Sequence, residues 1–173
     1  MTKRPVMIRL LTTRYQIAGN LFEAPPEDDE LPDLEAAPDG DGPETTELWM
    51  EGRLCTGSRR VELVWEEGEL SGMEGSVTVV GFERNAPGLI SMMRSGPVST
   101  AMTFEEGKRH FCVYDTPFSS FQVCVRALTV KNALLTDGEL ILEYLIEIHG
   151  AQAERCHMTI SAKSDQPLFE ETN

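Results

Sequence analysis

Basic residues are scarce in this sequence. Fifteen lysines and arginines stand against 29 acidic residues, for a formal net charge of −14. A surface of that sign repels phosphate backbones and anionic lipid, which argues against nucleic-acid and membrane partners. Long apolar runs are missing too, since none approaches the roughly 20 residues that a spanning helix needs. Lys3 and Arg4 precede Val6-Met7-Ile8, but Arg9 and Arg14 interrupt the run before a signal-peptide core can form. That stretch reads as a first strand. The four cysteines, at 55, 112, 124 and 156, include no Cys-x-x-Cys pair, and there is no Asn-x-Ser/Thr acceptor. A chain of 173 residues can bury a core without disulfide staples, so a reducing cytoplasm is expected.

Catalytic signatures are absent as well. Ser91, Ser95, Ser119 and Ser120 lie outside any Gly-x-Ser-x-Gly elbow, and no Gly-rich phosphate loop occurs. The paired carboxylates Glu66-Glu67 and Glu105-Glu106 stand beside glycines and read as solvated hairpin tips. His110, His149 and His157 are the starting points for a metal site. His110 and Cys112 share a strand face, as ligands on a sheet should. Folding 109–114 against 119–125 around Thr116-Pro117 sets 112 opposite 121. Cys124 then falls on the other face and no ligand cluster forms. The expectation is no metal and no cofactor, with Cys112 and Cys156 as small core fillers.

What is present is unevenly distributed. Residues 20–44 hold Glu23, Glu27, Asp28, Asp29, Glu30, Asp33, Glu35, Asp39, Asp41 and Glu44, with no Lys or Arg. Those acids account for all but four of the net charge, and the same stretch holds half of the ten prolines. Charge repulsion and proline predict a disordered acidic loop, a tolerated surface insertion that can also serve as an arm for a protein partner. The rest of the 1–173 chain reads as one domain.

After residue 44 short apolar-alternating segments follow one another, broken by turn signals. They are Thr45–Thr56, Arg59–Glu66, Ser76–Glu83, Leu89–Arg94, Val98–Phe104, Arg109–Tyr114 and a strand marked by Phe121, Val123 and Val125. Asp137-Gly138 has the composition of a two-residue type I′ hairpin. In Glu139–His149 the glutamates recur every four residues, as on a helix, while the apolar positions alternate. The turn before it and the isoleucines favour a strand. Regular spacing of this kind predicts an antiparallel meander closed into a barrel or sandwich.

Leu89-Ile90-Ser91-Met92-Met93-Arg94-Ser95-Gly96, then Phe111-Cys112-Val113-Tyr114-Asp115-Thr116-Pro117-Phe118, then Cys156-His157-Met158-Thr159-Ile160 carry a family resemblance. In order and spacing they resemble the YwiB-like family of small bacterial proteins of unknown function. The likeness spans roughly residues 3–163, with Ser119 where that family's turn has glycine. It implies an all-β, closed antiparallel meander barrel of about eight to ten strands, calycin-like and so lipocalin-like in shape. It implies no catalytic residues, and the lipocalins' Gly-x-Trp is absent.

Within such a barrel Arg94 is the side chain of most interest. At a barrel mouth its guanidinium can fork onto a carboxylate or phosphate, with Tyr114 sharing the ligand. The plainer reading, which the position before Ser95-Gly96-Pro97 favours, is that Arg94 points to water. A one-residue slip of register exchanges the faces of Met93 and Arg94. The expected function is a non-enzymatic binding module for a small, partly apolar ligand, with an anionic head group as one option. The alternative is a structural or protein-interaction module whose barrel is filled by side chains, and a hydrolase or isomerase is weaker still. Oligomeric state is not legible.

Overall fold

Period-two apolar spacing turns one face of each strand toward a common interior. A computed structural model of the chain describes residues 1–16, 42–148 and 151–164. They form ten strands: β1 (Thr2–Gln16), β2 (Glu44–Thr56), β3 (Arg60–Glu66), β4 (Val77–Glu83), β5 (Ala86–Ser95), β6 (Ser99–Glu105), β7 (Arg109–Asp115), β8 (Ser120–Ala133), β9 (Glu139–Ile148) and β10 (Ala151–Ser164). Each pairs antiparallel with its neighbours in sequence, and β10 returns to β1, so the sheet closes into an all-β barrel. The closing ladder runs from Val6 opposite Ser164 to Gln16 opposite Glu154. Full closure leaves no sheet edge. One 3₁₀ turn, Glu69–Ser71, is the only helical segment among the described residues. No helix there is long and apolar enough to cross a membrane.

The interior is packed. Ile8, Leu63, Ile90, Phe104, Leu140, Leu142 and Ile160 are fully buried, and Phe104 meets the Tyr144 ring edge-on at 4.9 Å. Gly52 shows how tight the wall is. A Cβ there would stand 2.7 Å from the Val64 carbonyl oxygen and would collide with the Ile8 side chain, so only glycine lets β2 pass. All four cysteines are free and buried, Cys112 and Cys156 among them as core fillers. The 139–149 segment is a strand as far as Ile148, with Leu140, Leu142 and Tyr144 inward, because alternation outweighs the fourfold glutamate spacing.

Three local expectations are corrected. The β8–β9 connection is not a two-residue hairpin: Ala133 pairs with Glu139, leaving five residues between them. The Asp137 amide bonds to the Ala133 carbonyl, and Gly138 has a positive φ, at 71°. In the β7–β8 hairpin Cys112 faces Val123, not residue 121. The shift is two residues, so Cys124 still falls on the face opposite to Cys112. Glu44 opens β2 rather than closing a loop. The remainder of the acidic 20–44 stretch, up to residue 41, lies outside the described residues, as does His149.

Candidate functional site

Strand alternation extends past the end of β3. Val61, Leu63 and Trp65 point inward, and the next position of that parity is Glu67. Its side chain is only 1% exposed, so Glu67 is no solvated hairpin tip, and the sequence-based expectation is overturned here. Three groups converge on Oε1. The Trp65 indole N–H donates at 3.1 Å, the Thr78 hydroxyl donates at 2.5 Å, and Arg94 Nη2 stands at 3.5 Å. Arg94 Nε donates in turn to Thr78 Oγ1 at 3.2 Å. Thr78 is therefore a relay, accepting from the guanidinium and donating to the carboxylate.

Arg94 itself points into the barrel with its side chain 10% exposed, which corrects the favoured solvent-facing reading. Register decides this. Thr78 pairs with Arg94, Arg94 with Thr100, Thr100 with Tyr114 and Tyr114 with Phe121. Thr78, Arg94, Thr100 and Tyr114 form one inward row across β4 to β7, continued by Phe121 of β8, which is exposed at the rim, while Met93 faces out. Thr100 is buried, and its hydroxyl has no hydrogen-bond partner of ordinary geometry among the described residues. It does act on the Cys112 thiol, whose pKa burial raises and Thr100 partly lowers again. Tyr114 is half-buried and stacks on Phe121 at 5.5 Å. Among the described residues no hydrogen bond joins it to Arg94, so the two expected site residues share a row but not a contact.

The row lies under the end of the barrel that carries the β3–β4, β5–β6 and β7–β8 turns. Two of these turns are tied together. Ser76 Oγ accepts from the Val98 amide and donates to the Val98 carbonyl, both at 3.3 Å, and the Ser76 carbonyl accepts from the Glu67 amide at 2.8 Å. This fixes Glu67 over the row. A cleft of about 510 Å³ at this end runs along Pro5, Gly52, Trp65 and Val77. Clefts of about 300 Å³ beside Trp49 and about 140 Å³ beside Asn132 lie elsewhere. Neither Arg94 nor Tyr114 lines any of the three.

Other chemistry is thin. His110 contacts Glu105 at 3.3 Å rather than working with Cys112. Among the described residues no group of three His, Cys, Asp or Glu is placed to hold a metal. Burial pushes the thiols of Cys112, Cys124 and Cys156 up, which makes them poor nucleophiles. Sequence reasoning missed Glu67, Thr78 and Thr100. The parity of Val61, Leu63 and Trp65 was the signal that could have found the first.

Fold and site together define a closed ten-stranded antiparallel barrel with a polar row beneath one end. Residues 35–160 match the domain of unknown function DUF1934, and the chain belongs to that family. The crystal structure of the ywiB protein from Bacillus subtilis is similar over 95% of this chain and 94% of that one, with a TM-score of 0.69. At 17% identity that likeness shows the fold, in keeping with a YwiB-like barrel. No curated protein matches the chain.

Proposed function

We propose that the barrel is a non-enzymatic binding module for a small, partly apolar ligand whose polar group enters at the Arg94 row. The observation that carries this reading is the Thr100 hydroxyl, buried without a hydrogen-bond partner across the ladder from Arg94. A buried polar atom left unpaired calls for an explanation, and an absent ligand is one. The guanidinium has N–H donors beyond its contacts to Thr78 and Glu67. Tyr114 and Phe121 provide a stacked aromatic rim for the apolar part. Because the interior below is packed, the ligand is compact and sits at the mouth. The same reading places the protein in the cytoplasm, supported by four unpaired thiols.

A second reading, a protein-interaction module with a filled barrel, is favoured by the outer wall. Phe111 is 71% exposed there, with Val113 and Met93 also exposed nearby. Native mass spectrometry of protein isolated from its own host separates the two. The first reading expects a bound small mass that is lost in Arg94→Ala and in Thr100→Val. A bare mass for the wild-type protein would overturn it in favour of the second.

A further inference from the structure

We propose that Glu67 makes the Arg94 site selective for an uncharged hydrogen-bond acceptor, such as an amide or ketone carbonyl, over a carboxylate. The inference rests on the binding reading above and names the chemistry of its ligand.

An arginine that receives an anion offers an uncompensated positive charge. Arg94 does not. The Glu67 carboxylate stands 3.5 Å from Nη2, and the pair as a unit carries no net charge. Glu67 has no easy way to withdraw. Its side chain is buried, and leaving would abandon the Trp65 indole N–H and the Thr78 hydroxyl, which both donate to it. A second carboxylate placed on the guanidinium would therefore share the site with one already there. Like charges at close range are unfavourable, more so where water is excluded. A neutral carbonyl meets no such repulsion. It can accept from the remaining guanidinium N–H groups and from Thr100, whose hydroxyl has no hydrogen-bond partner of ordinary geometry among the described residues and carries no charge. Through Thr78, Glu67 also holds the plane of the guanidinium, since Nε and Nη2 are both engaged. The carboxylate thus converts a point of positive charge into an oriented fork of neutral-site donors. Glu67 is a specificity-determining positioning residue and need not touch the ligand.

Benzamide and benzoate share a ring and differ in charge, so they are the probes. Each is titrated into isotope-labelled protein, with the Thr100 and Arg94 amide resonances followed by NMR. Wild-type protein is expected to bind benzamide at least about tenfold more tightly than benzoate. Glu67→Gln keeps acceptors for Trp65 and Thr78 but uncovers the Arg94 charge, and it is expected to reverse the preference. Formate, a carboxylate that needs no apolar contact, should raise the melting temperature of Glu67→Gln above that in chloride at equal ionic strength, and leave wild type unmoved. Benzoate preferred by wild type would overturn this inference and leave the binding reading standing. An unchanged preference in Glu67→Gln, with no formate effect, would overturn it also. Neither probe moving Thr100 in either protein would overturn the binding reading and this inference together. The wild-type comparison needs no variant, so a Glu67→Gln protein that fails to fold leaves the test intact.

Discussion

Two levels of the same barrel differ by two residues along each strand. On one level Leu63, Val80, Met92, Met102, Cys112 and Val123 face inward. On the next are Trp65, Thr78, Arg94, Thr100, Tyr114 and Phe121. Backbone and neighbouring strands are the same for both. The first level is held by burial, which is non-directional and tolerates exchange of similar volumes. The second is held by a chain of hydrogen bonds with one member left over, so its arrangement depends on which atom donates to which. An apolar row keeps the barrel shut, and a polar row leaves unsaturated bonding capacity where a ligand can use it.

Four substitutions or conditions sharpen or break that contrast. The largest effect belongs to the apolar interior. Phe104→Ala, at a fully buried ring packed on Tyr144, should destabilise by about 4 kcal/mol in urea unfolding. A loss below about 1 kcal/mol would mean that the interior collapses around the gap, against the close packing described. Next comes Arg94→Ala, which strands the buried Glu67 carboxylate and should cost about 3 kcal/mol. Replacing both partners, as Arg94→Met with Glu67→Met, should recover most of that loss, since apolar residues then extend the first level into the second. If the double variant is no better than the single one, Glu67 is satisfied without Arg94.

A smaller change of opposite sign is expected at Thr100. Thr100→Val removes a buried hydroxyl without a partner and should stabilise by about 1 kcal/mol, measured by thermal or urea unfolding. Destabilisation would show that the hydroxyl is bonded in solution. The smallest effect concerns Cys112, which sits where the two levels meet. Burial raises its thiol above the ordinary value of 9.0, and Thr100 holds it back. A raised folded pKa contributes stability that is fully present below the unfolded value and is lost as pH rises through the folded one. Stability should therefore be flat up to about pH 9 with respect to this thiol and decline above it. In Thr100→Val the onset should stay where it is while the decline continues further into the alkaline range, and iodoacetamide should label Cys112 of the folded protein more slowly than in wild type.

Most of the barrel was legible because alternation is a property of each strand by itself. Val61, Leu63 and Trp65 announce an inward face without reference to any neighbour, and Leu140, Leu142 and Tyr144 do so even against a competing fourfold repeat. The polar row was not legible in the same way. Arg94 stands next to the last residue of β5, where a shift of one residue decides between core and water, and that shift is set by pairing with Thr78 and Thr100. Glu67 sits beyond the last residue of β3, in a Glu-Glu-Gly context that resembles an exposed turn. Its burial depends on Trp65, Thr78 and Arg94 arriving from three strands. Asp137-Gly138 misled for a related reason: turn composition names a conformation, but the register of Ala133 on Glu139 determines how many residues the turn must contain.

The pairing of β1 with β10 has a consequence in time. Among the ten strands these are the two furthest apart in the chain, yet they form one of the longest ladders, from Val6 and Ser164 to Gln16 and Glu154. During synthesis β1 leaves the ribosome first and β10 last of the ten. Until β10 has emerged, the outer edge of β1 has no native partner and the growing sheet is an open ribbon. Open edges invite pairing with other chains. Ring closure is then the step that ends this exposure, and it is also the contact with the greatest loop-closure cost. A nascent chain stalled before β10 would be the aggregation-prone form of this protein, although every strand it already holds is correctly patterned.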